Sequence, residues 1–149
     1  MCIFFCVLII GGIFTGDYKI KKYVEEKVNE PRPILGGRIL LRKYHNRGAM
    51  LNLGQRRSKI VTAVSLLLCV LLTAVFLLSL GKRGNNLLLI GLSFLLGGAF
   101  SNTYDRLKRK YVVDYFSFRV KWKPLGRIVY NLSDFCIITG ALLVVLGSP

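Results

Sequence analysis

Two stretches, Ile60–Gly81 and Gly84–Tyr104, each run for more than twenty residues without a formal charge. At about 1.5 Å per residue, a helix of that length crosses the roughly 30 Å of hydrocarbon in a bilayer. Two further apolar blocks, Met1–Gly16 and Ile128–Pro149, bring the count to four. The first is short before Asp17, so it spans fully only if protein shelters Asp17 and Lys21. Read instead as a cleaved signal peptide, it lacks a basic leading region and ends in IFTGD rather than at a small-residue cleavage site. The expectation is one integral-membrane domain over residues 1–149, mainly α, with helices at about 2–23, 59–81, 85–106 and 128–147.

Charge separates the blocks. The chain has 22 Lys and Arg against 7 Asp and Glu, a net charge of +15. In a soluble chain that balance would point to nucleic acid. Here the basic residues lie between hydrophobic blocks: twelve from Lys19 to Lys59, two at Lys82 and Arg83, and eight from Arg106 to Arg127. Beside a bilayer the matching partner is anionic lipid headgroups, not nucleic acid. Cys2, Cys6, Cys69 and Cys136 all fall in apolar blocks with no CxxC or zinc spacing, and read as small apolar residues of helices.

The loops, about 24–58 and 107–127, carry different signals. PRP at 31–33 argues against a helix there. ILGGRILLRKYHNRGAMLNLG reads as short strands and turns, and YVVDYFSFRVKW alternates enough to be extended. KRGNN joins the second and third helices as a tight turn, and Pro124 with Gly126 breaks the chain before the fourth.

Acids are scarce, so their places are informative. Glu25, Glu26 and Glu30 sit among lysines and are explained by solvated charge pairs. The aspartates Asp17, Asp105, Asp114 and Asp134 all lie at helix ends or inside a helix. An Asp at the centre of a membrane helix costs roughly 2.5–3.5 kcal/mol, so it needs a partner. If the fourth helix starts near Ile128, Asp134 lies about 9 Å along it, at about 1.5 Å per residue. Asn131, three residues earlier, shares its face. Asn102, Asp105 and Arg106 share a face of the third helix, with Asp105 and Arg106 pairing at its end. Asp114 falls at the same membrane surface as Asp134 and is the partner this spacing offers. Two close carboxylates divide one proton: the ionised member activates water and the protonated member donates to a carbonyl oxygen. The alternative for each aspartate alone is a helix cap or a salt bridge.

GGAFSNTYDRL, YVVDYF and YNLSDFCIITG, in that order, resemble signal peptidase II, whose pattern is approximately GGAxGNxxDR, VVDF and FNxADxxIxxG. Asp17 and Lys21 match its D-x-x-x-K pair, and Asn46, Gly48 and Ala49 its N-x-G-A motif. The resemblance implies four transmembrane helices with a small β-rich extracytoplasmic cradle in a bacterial inner membrane. It implies an aspartic endopeptidase with Asp114 and Asp134 as its dyad, needing no cofactor or metal. Its substrates are prolipoproteins, cut just before a diacylglyceryl-modified cysteine. Asn102, Arg106 and Asn131 fall where that family supports dyad and substrate. Asp17, Lys21, Asn46, Gly48 and Asp105 fall at its other characteristic positions. Ser101 stands where Gly is usual, Ser133 where Ala is, Arg47 where a small residue is, and Tyr18 where Gln is common. Lys110 and Tyr111 stand where a Gly is expected before VVD.

The family topology places both termini in the cytoplasm and the dyad near the outer face. Only Lys82 and Arg83 then remain on the inner side, against the positive-inside rule. The resemblance decides the orientation, because the substrate is cut at the outer face. Two other classes explain less. A proton or ion relay accounts for Asp134 but spreads carboxylates through the membrane depth, and a structural membrane protein would tolerate Asp→Asn at both positions. His45, with no nucleophile beside it, reads as a loop residue next to Asn46, and Ser133 as a hydrogen-bonding neighbour of Asp134.

Overall fold

The structure is a computed structural model and describes residues 3–49, 53–81, 86–120, 126 and 128–148. Cys2, residues 82–85 of the KRGNN turn and the break at Pro124 lie outside the described residues. Helix α1 spans Ile3–Lys27, followed by strands β1, Arg32–Ile34, and β2, Ile39–Asn46. A short 3-10 turn at Gln55–Arg57 leads into α2, Ser58–Ser79, and then come α3, Asn86–Arg109, β3, Val112–Phe118, and α4, Leu132–Gly147.

Of the four helices named among the described residues, α1, α2 and α3 are long and apolar enough to cross a membrane. The fourth has 16 residues, about 24 Å at about 1.5 Å per residue. The expected start near Ile128 is thus corrected. Residues 128–130 precede the helix, and Tyr130 pairs with Phe116 of β3. The helix begins only where Asn131 can cap it: the Asn131 side chain accepts the Asp134 N–H, and the Asp134 side chain accepts the Asn131 N–H.

Helix α3 is the hub, packed against each of the other three. Its apolar window is 56% buried, whereas those of α1 and α2 are 11% buried. The exposed side chains of α1 and α2, Phe4, Phe5, Leu67 and Leu71 among them, form a lipid-facing surface. Apolar burial gives little drive for helices to associate in lipid, so close backbone approach through small residues does that work. A Cβ on Gly91 would meet Val144 N at 2.7 Å, and one on Gly98 would meet Ser133 O at 2.6 Å. These glycines draw α4 onto α3, and Gly98 sets the depth at which the first turn of α4 rests.

The strands form an antiparallel sheet in the order β1-β2-β3. Tyr44 pairs with Asp114 and Asn46 with Val112, with an irregularity between Leu41 and Tyr44. Alternation along β3 sends Val113 and Tyr115 against Val24 of α1 and Val28 just after it and leaves Asp114 on the opposite side. His45 lies in β2, not in a loop. Its Nε2 is 3.0 Å from Glu25 Oε2, and Tyr111 donates to Glu25 Oε1 at 3.0 Å. Glu25 therefore serves the sheet–helix junction, while the expected solvated pair is found at Lys22 and Glu26, 3.9 Å apart.

Candidate active site

Asp114 and Asp134 reach the same cavity, about 310 Å³ in volume, from different elements. Asn46, Asn102 and Arg106 join them at its polar end, and Leu68, Leu72, Leu95 and Ile137 line its apolar walls. Asp114 Oδ1 accepts from Asn131 Nδ2 at 2.7 Å, and Oδ2 accepts from Asn46 Nδ2 at 3.0 Å. Asp134 Oδ1 accepts from Asn102 Nδ2 at 3.1 Å, and Oδ2 accepts the Asn131 N–H at 3.0 Å. Asn131 thus holds one carboxylate with its side chain and the other with its backbone. It precedes α4 as its cap rather than sharing a helical face with Asp134. Asp134 is both a capping residue and a cavity residue, so the two readings of it are not alternatives.

Asn46 is held in turn. Its Oδ1 accepts the Gly48 N–H at 3.0 Å, and its Nδ2 also reaches Ala49 O at 3.2 Å. This is the local reason for the N-x-G-A spacing: the turn consumes the amide oxygen and leaves the NH2 group for Asp114. Burial, and after it the charge of Asp134, pushes the Asp114 carboxyl up to about 7, against the opposing bonds from Asn46 and Asn131.

Asp17, Lys21 and Asp105 do not line the cavity. They are 0%, 1% and 1% exposed, which meets the condition for α1 to span. Lys21 Nζ lies 2.7 Å from Asp17 Oδ2 and 3.3 Å from Asp105 Oδ2, and donates to Asn102 Oδ1 at 2.8 Å. Asp105 accepts the Val113 N–H at 3.2 Å and faces Arg109 Nε at 3.6 Å. The expected pairing of Asp105 with Arg106 is therefore corrected. Successive helical residues diverge by about 100°, so Asp105 turns inward to Lys21 while Arg106 turns to the cavity with Asn102. Nη1 of Arg106 is buried and has no hydrogen-bond partner among the described residues.

The departures Ser101 and Ser133 converge on one atom. Both hydroxyls donate to Asp17 Oδ2, at 2.7 and 2.6 Å. Tyr115, which sequence reasoning passed over, donates to Asp17 Oδ1 at 2.9 Å. The available signal was strand alternation, which turns the residue after Asp114 toward the helices. Tyr18 stacks on Phe14, with centroids 6.4 Å apart, and meets Tyr104 edge-on at 5.8 Å.

The fold is that of a bacterial membrane enzyme. A structure of one, obtained by the in meso method at 2.3 Å resolution, superposes with a TM-score of 0.79 at 16% identity, covering 95% of this chain and 85% of that one. Residues 8–148 match the family Signal peptidase (SPase) II. A lipoprotein signal peptidase of Halothermothrix orenii is 33% identical over 87% of this chain and 85% of its own length. One of Moorella thermoacetica is 32% identical over 78% and 72%. The chain belongs to the signal peptidase II family, the aspartic peptidases that process prolipoproteins in bacterial membranes.

Proposed function

We propose that Asp114 and Asp134 are the catalytic dyad of this peptidase, and that it removes the signal peptide just before a diacylglyceryl-modified cysteine. The observation that carries the reading is the shared cavity: two carboxylates from β3 and α4 at the polar end of an otherwise apolar cleft, bridged by Asn131. With one proton between them, the ionised carboxylate takes a proton from water as its oxygen attacks the scissile carbonyl carbon. The protonated carboxyl donates to the carbonyl oxygen. The tetrahedral intermediate then collapses: the C–N bond breaks, the proton taken from water passes to the leaving amine, and a hydroxyl proton of the intermediate returns to the carboxylate that had donated one. The guanidinium Nη1 of Arg106, unpartnered among the described residues, is a donor for a substrate carbonyl or the developing oxyanion. The walls formed by Leu68, Leu72, Leu95 and Ile137 suit the acyl chains on the cysteine.

Asn46, Asn102 and Asn131 support the dyad directly, and Gly48, Lys21, Asp17 and Asp105 act behind them. The enzyme sits in the inner membrane with the dyad toward the outer face. The exposed Arg56 and Arg57 just before α2, Lys59 in its first turn, Lys108 in the last turn of α3 and Lys110 just after it lie at the dyad's end of the bundle, where anionic headgroups complement them. Arg109, half-buried against Asp105, is not part of that set.

The test is cleavage of a diacylglyceryl-modified prolipoprotein by purified protein in detergent. Wild type cleaves it, and Asp134→Asn and Asp114→Asn, folded by circular dichroism, do not. Equal cleavage by wild type and either variant would retire the dyad.

A further inference from the structure

Tyr115 follows Asp114 on β3, and its side chain packs the other way, with Val24 of α1 and Val28 just after that helix. Its hydroxyl makes two bonds of opposite sense. It donates to Oδ1 of Asp17 at 2.9 Å and accepts the N–H of Leu132 at 2.8 Å. Leu132 is the first residue of α4, and Asp134 is two positions on. One hydroxyl therefore ties together the strand that carries Asp114, the helix that carries Asp134, and the α1 carboxylate beneath both. Tyr115 is 4% exposed, so water hardly competes for either bond. Burial, and then the charge of Asp17, pushes the phenol pKa up, so the hydroxyl keeps the proton it donates. Asp17 is a firm anchor because Ser101, Ser133 and Lys21 all hold its other oxygen.

We propose that Tyr115 is a positioning residue for the peptidase: its hydroxyl fixes the first turn of α4 against β3 and α1, and so sets how Asp134 faces Asp114. The inference rests on the reading of those two aspartates as the working pair. Tyr115 is absent from the cavity lining, so it does not meet a substrate held there. Its loss falls on turnover and spares binding. The bonds of Asn131 and Tyr130 hold the junction upstream of Leu132. The Leu132 N–H is one of the first-turn donors that has no partner within its own helix.

The experiment measures kcat and KM separately for wild type, Tyr115→Phe, Ser133→Ala and Asp134→Asn, using a diacylglyceryl-modified prolipoprotein and full-length protein in detergent. Amide hydrogen exchange is followed over residues 130–136. Tyr115→Phe is expected to lower kcat about tenfold or more with KM within about twofold, and to speed exchange in the first turn of α4 but not in its middle. Ser133→Ala, which removes a donor to Asp17 but leaves the Leu132 bond, is expected to keep kcat within about threefold. Wild-type kcat in Tyr115→Phe, a loss confined to KM, or an equal loss in Ser133→Ala overturns the proposal. If Tyr115→Phe does not fold, wild-type exchange decides: a protected Leu132 amide supports the tie, and a rapidly exchanging one overturns it. Cleavage surviving in Asp134→Asn overturns the dyad itself. No cleavage there, with Tyr115→Phe like wild type, overturns the positioning role alone.

Discussion

Lys21 Nζ lies 2.8 Å from Oδ1 of Asn102, and that contact decides which atom Asn102 offers to Asp134. An ammonium group only donates, so the amide oxygen turns toward it and Nδ2 is left to donate to Asp134 Oδ1 at 3.1 Å. A residue of α1 that never reaches the cavity thus governs a hydrogen bond inside it.

Replacing Lys21 by Met is expected to cost about 3–5 kcal/mol, because Asp17 and Asp105 would lose a buried countercharge they share. Denaturant titration of the detergent-solubilised protein measures this. A loss below about 1 kcal/mol would show that the cluster does not depend on the cation.

Activity should depend on pH through the carboxylate pair. The Asp114 carboxyl, raised to about 7 by burial and then by the Asp134 charge, holds its proton at pH values where an ordinary carboxyl is ionised. As pH rises through that value the pair loses its acid, and kcat is expected to fall. The folding contribution of this group runs the same way: present at low pH, it is lost as pH rises toward 7. A kcat profile that still rises above pH 8 would contradict the assignment.

Gly98 is the point where α3 touches the start of α4, and an added Cβ would sit 2.6 Å from Ser133 O. Gly98→Ala is expected to destabilise by about 1–3 kcal/mol. It should also lower kcat more than Gly12→Ala, a position with nothing within 4 Å. Thermal melting together with cleavage rates tests both effects.

Lys110 takes φ +69 immediately after α3, a left-handed conformation natural to glycine at a helix C-terminus. Lys110→Gly is expected to raise stability by about 0.5–1 kcal/mol. It places glycine near where the related pattern has one. A fall in melting temperature would mean that the Lys110 bond to Leu107 O, 2.8 Å long, outweighs the strain.

The parts legible in the sequence were those enforced by the solvent. Long uncharged runs marked α2 and α3, and the alternation of YVVDYFSF marked β3 over Val112–Phe118. Motifs in order brought Asn46, Asn102, Asp114 and Asp134 into view as one set. The start of α4 was misread because hydropathy does not separate an apolar helix from apolar residues that merely precede one, as Ile128 and Val129 do. The direction of Asp105 was misread because spacing along a helix offers two neighbours, and only the presence of Lys21 across the interface chooses between them.

By itself, the sequence determined that this chain lives in a membrane, because a bilayer leaves long apolar segments nowhere else to go. It also determined that its few aspartates must be partnered, because a lone carboxylate there is costly. Only the tertiary structure decided that Lys21 orients Asn102, that Ser101, Ser133 and Tyr115 meet on Asp17, and that Asn131 bridges the two cavity aspartates. Those are contacts between residues as far as 116 positions apart. They follow from donor directions and from the close approach at Gly91 and Gly98, which no local pattern encodes.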